Sequence, residues 1–88
     1  MADVDNLTRI PILQGSMCLG LSTEGTPHLV FASERHGLIR VRVSPSQGGD
    51  FLFTYVIRDD RTGTVTQYQG PHGDPDQDQV IKGPYGVA

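Results

Sequence analysis

Eighty-eight residues can build one small core, with a stability margin thin enough that self-association would widen it. A formal charge of −3, seven Lys plus Arg against ten Asp plus Glu, removes the general counterion-release drive towards nucleic acid, and no apolar run reaches the length of a membrane span. The one cysteine, Cys18, excludes an intramolecular disulfide; with residues 1–5 lacking the basic start and apolar stretch of an export signal, it points to a cytoplasmic protein.

The apolar residues are mainly Val, Ile, Leu, Phe and Tyr, which suit a pleated, half-buried surface, and Gly and Pro fall between the apolar runs. This predicts a single all-β domain over residues 1–88: a small antiparallel meander, forming a curled sheet or partly closed barrel of about 5–7 short strands. Residues 1–6 are polar and expected to fray. Residues 7–13 read as a short edge strand interrupted at Pro11.

The next four strands can be registered against one another through their turns. Gly37 supplies the left-handed residue of a three-residue hairpin, Arg35 to Gly37, which sets Leu29 opposite Val43, Phe31 opposite Val41 and Ser33 opposite Ile39. The preceding turn, residues 23–27, sets Leu21 opposite Leu29, Leu19 opposite Phe31 and Met17 opposite Ser33. The following connection, residues 44–50, sets Val43 opposite Phe51, Val41 opposite Phe53 and Ile39 opposite Tyr55. All three turns put the apolar residues on one face, so Met17, Leu19, Leu21, Leu29, Phe31, Ile39, Val41, Val43, Phe51, Phe53, Tyr55 and Ile57 form the expected core. A fifth strand over 64–69 follows the Gly63 turn, residues 70–78 form an exposed loop rich in Asp, Pro and Gly, and residues 79–82 form a last short strand.

The opposite face is expected to carry Cys18, Gly20 and Ser22, then His28, Val30 and Ala32, then Leu38, Arg40 and Arg42, then Leu52, Thr54, Val56 and Arg58. A solvated strand face normally shows Lys, Glu and Thr; this one mixes Arg with apolar side chains, so a cover is expected from the terminal segments, a second copy or a ligand. Arg40 and Arg42 project to one side, and Arg58 joins them from the neighbouring strand. The ordinary reading pairs Arg40 with Glu34 and lets the Arg stems cover apolar neighbours; the sharper one makes Arg40, Arg42 and Arg58, with His28 at the margin, a ligand-binding site for an anion.

No catalytic, metal or cofactor motif is present in the sequence. His28, His36 and His72 match no ligand spacing, and Asp74, Asp76 and Asp78 resemble the first half of a calcium loop whose Gly and Glu are replaced by Gln79 and Tyr85. The functional expectation is a non-enzymatic binding or assembly module that forms a homo-oligomer and presents the Arg-bearing face or its loops to a protein partner or small anionic ligand. The alternative is a small β-barrel enzyme with His28 or a Tyr as general acid or base and Arg40 or Arg42 holding the substrate anion.

Overall fold

The computed structural model describes residues 7, 9–22, 28–45 and 51–85, so the expected fraying of residues 1–6 lies outside it. Six strands form one antiparallel meander in chain order: β1 Met17–Ser22, β2 His28–Ser33, β3 Gly37–Pro45, β4 Phe51–Arg58, β5 Val65–Gly70 and β6 Gln79–Lys82. The sheet is open, with β1 and β6 as its edges. Among the described residues no helix is long and apolar enough to cross a membrane.

The face assignment of β2, β3 and β4 holds, but two registers differ from the sequence reading by two residues. Leu29 pairs with Val41 and Phe31 with Ile39, because the turn comprises Glu34, Arg35 and His36, and Gly37 already pairs with Ser33. The Ser33 hydroxyl accepts the His36 N–H at 3.3 Å, closing the turn one residue early. Gly37 keeps its left-handed φ of 87°, and a Cβ there would run into the Arg58 carbonyl. Between β3 and β4, Val43 pairs with Phe53, Val41 with Tyr55 and Ile39 with Ile57, since β3 extends through Pro45, opposite Phe51. A shift of two preserves the side to which every residue points, so the core survives it.

In β1 the outcome is different. Leu21 does face Leu29, but a bulge between Cys18 and Gly20 puts Cys18 opposite Phe31 and Met17 opposite Ala32. Cys18 thereby packs against the core, while Met17, Leu19 and Leu21 are exposed, and so is Phe51. Residues 7–13 also depart from expectation: Pro11–Leu13 is a 3-10 turn rather than a strand. Pro11 opens it with a preset φ, Leu13 N–H donates to the Ile10 carbonyl, and Ile12 N–H donates to the Gly73 carbonyl at 3.1 Å.

This turn decides where the core sits. Leu7, Ile10, Ile12 and Leu13 lie on Phe31, Ile39, Val41, Tyr55 and Ile57, with Cys18, Leu29, Val43, Phe53 and Tyr68 around them. Of the two faces that the N-terminal apolar residues could cover, they cover the core face and not the Arg-bearing one. The fifth strand runs one residue later than predicted, and β6 occupies the predicted residues. The loop after β5 is not uniformly exposed: Gly73 is buried against Ile10 and Phe53, and the Asp78 side chain is half-buried.

Candidate functional site

The strands pair into cross-strand rows that carry one cationic face. Arg42 lies opposite Thr54, and Thr54 opposite Gln69; Arg40 lies opposite Val56, Val56 opposite Gln67, and Gln67 opposite Lys82; Leu38 lies opposite Arg58 and Arg58 opposite Val65. Directly opposed residues share a face, so Arg40, Arg42, Arg58 and Lys82 all project to one side, where His28 also points by alternation with Val30. None of the six strands contains an Asp or Glu, whereas four of the chain's seven cations, Arg40, Arg42, Arg58 and Lys82, lie within them. Asp and Glu are poor strand residues in general, and Arg tolerates half-burial because its stem covers apolar neighbours.

The centre of this face is tightly occupied. Thr54 is buried, and its hydroxyl accepts a hydrogen bond from Gln69 Nε2 at 3.1 Å. Arg42 is half-buried, and its Nε is shielded from solvent with no hydrogen-bond partner among the described residues. Arg58 is nearer the rim, half-exposed, with one guanidinium nitrogen 3.9 Å from Asp60. His28 and Arg40 both have interaction partners. At the turn end of the face, a shallow depression of about 490 Å³ is lined by Met17, Ala32, Leu38 and Arg58, with Asp60 at its margin.

The four predicted site residues thus share one face, but no tyrosine from the core strands joins them. Tyr55 and Tyr68 stack on the opposite face with centroids 5.3 Å apart. Tyr85 donates its hydroxyl to Gln67 Oε1 at 2.7 Å, two strands away from Arg40.

A second polar assembly, absent from the sequence reading, holds the loop after β5. The Tyr55 hydroxyl donates to Asp78 Oδ2 at 2.8 Å; the same oxygen accepts Asp74 N–H, and Oδ1 accepts His72 N–H. Burial, reinforced by the hydrogen bond to Asp78, pushes the Tyr55 hydroxyl well above the ordinary tyrosine pKa. Asp74 is held below the usual carboxylate range mainly by the Asp76 N–H, then by the Gln77 amide, and more weakly by His36 and His72. The Asp74–Asp76–Asp78 alternation therefore closes a loop on itself, and among the described residues no three His, Cys, Asp or Glu side chains gather as a metal ion would require. The one general signal for this assembly is that a buried tyrosine needs a hydroxyl partner, which does not say where along the chain that partner lies.

Between the turns flanking the core face, an open depression of about 520 Å³ is floored by Ile57, Thr66 and Tyr68. Its rim carries Glu34, Asp60 and Asp76 together with Arg35, His36 and Arg61, so the turns hold charges of both signs. No protein-family model, curated protein or solved structure matches the chain.

Proposed function

We propose that this protein is a non-enzymatic binding module whose Arg40–Arg42 face receives a carboxylate-bearing or phosphate-bearing partner. The observation that carries the reading is the one-signed charge of the strands: cations stand at aligned positions, and none of the six strands contains an Asp or Glu. Guanidinium groups suit planar anions, and the neighbouring Thr54, Gln67 and Gln69 add uncharged hydrogen-bonding groups beside them. The net charge of −3 restricts such binding to this local surface and disfavours a long polyanion that would extend beyond it.

The test is an amide-resolved NMR titration with two probes, inorganic phosphate and an all-glutamate hexapeptide. Saturable shifts should centre on β3 and β4 and weaken as salt rises, and the double variant Arg40→Gln/Arg42→Gln should bind at least about tenfold more weakly. Shifts confined to the turns, or none with either probe, would overturn the reading.

A further inference from the structure

The two sheet edges are protected unequally. β6 is four residues long, ends in Lys82 and is followed by Pro84, and these features discourage further strand pairing. β1 is six residues long and contains neither a charge nor a proline. Its large apolar side chains are bare: Met17 is 66% exposed, Leu19 55% and Leu21 61%. Its outer backbone groups have no neighbouring strand among the described residues, where β1 is the first strand of the meander. The bulge between Cys18 and Gly20 is its one irregularity, and it leaves the apolar side chains in solvent rather than turning them inward.

We infer that β1 pairs with β1 of a second copy of this chain, antiparallel about a two-fold axis near Leu19, joining the two meanders into one continuous sheet. A second copy fits for two reasons. No residue from Ile10 to Thr23 is charged, so two molecules of net charge −3 meet there without placing like charges at the junction. The arrangement is also self-matching at the axis, where the exposed Leu19 lies beside its own equivalent. Because the bulge sends Met17 to the side of Ala32 and Leu21 to the side of Leu29, each face of the junction receives one side chain from each copy. A six-residue edge buries less than the roughly 1,200 Å² of a standard stable interface, so the dimer is concentration-dependent. This inference stands apart from anion binding, since β1 contributes none of the Arg side chains.

The experiment is light scattering across a concentration series, together with a cysteine scan in a Cys18→Ser background. Average mass should rise from one copy towards two with concentration. Leu19→Lys and Leu21→Lys, at exposed positions that leave the fold intact by circular dichroism, should each hold the protein monomeric at concentrations where the parent is mostly dimeric. Leu19→Cys, lying near the axis, should form a disulfide-linked dimer on mild oxidation, and Val80→Cys on β6 should not. A parent that stays monomeric throughout overturns the inference; so does a dimer that persists in both lysine variants or cross-links through Val80→Cys.

Discussion

The two faces of the sheet solve the same problem differently. The core face is closed by a short piece of the chain's own backbone: Ile12 and Leu13 are almost fully buried over Phe31, Ile39, Val41 and Tyr55. The Arg-bearing face has no such lid from that segment, and its central burial comes from its own long polar side chains, with Gln69 and Arg42 lying about Thr54. Apolar side chains can be removed from water by any close-packed cover, whereas a guanidinium must keep partners or solvent, so only the first face can be sealed. The difference separates the part of the molecule that holds it together from the part free to meet something else.

The largest expected effect breaks the lid. Leu13→Ala removes a fully buried side chain from the middle of the core and should cost about 2–5 kcal/mol in denaturant unfolding, enough to threaten an 88-residue fold. A change much below 1 kcal/mol would mean that the 3-10 turn merely rests on the sheet.

An intermediate effect tests the polar attachment beside it. Asp78→Ala strands the Tyr55 hydroxyl and two backbone N–H groups and should cost about 1–3 kcal/mol, while Tyr55→Phe in the same background should recover part of that loss. The folded protein retains the Tyr55 proton that the unfolded chain releases near pH 10. Stability should therefore stay level on this account below that pH and fall as pH rises beyond it, and Tyr55→Phe should flatten the alkaline fall measured in urea melts.

The smallest effect sharpens the contrast from the other face. Arg42→Met removes an Nε that is buried without a partner among the described residues and keeps an apolar stem, so stability should change by no more than about 1 kcal/mol in either direction. Anion binding to this face should suffer far more than folding does. A loss as large as that of Leu13→Ala would show Arg42 to be a structural member of the sheet.

Parity was legible in the sequence, and register only partly so. Phe31, Ile39, Val41, Tyr55 and Ile57 belong to the core in both readings because a side chain's face depends only on odd or even position, which the two-residue shifts at both hairpins leave untouched. Met17 and Leu19 were misread because a one-residue bulge changes parity, and a single Gly20 among apolar residues announces it weakly. Residues 7–13 were misread because their apolar pattern suits a strand, while the 3-10 turn depends on Gly73 accepting the Ile12 N–H from far along the chain.

For the site, the alternation of Arg40 and Arg42 sufficed to put them on one side, and a hairpin partner sufficed to add Arg58. The Tyr55–Asp78 bond spans 23 residues and two strands, so no local pattern encodes it. The sequence by itself determined the meander, the strands that compose it and the shared side of Arg40 and Arg42, because these follow from local periodicity and from which residues occupy turns. Only the tertiary structure decided which face the N-terminal segment seals, which edge is left bare and what Asp78 holds, because each depends on where distant backbone and side-chain groups meet.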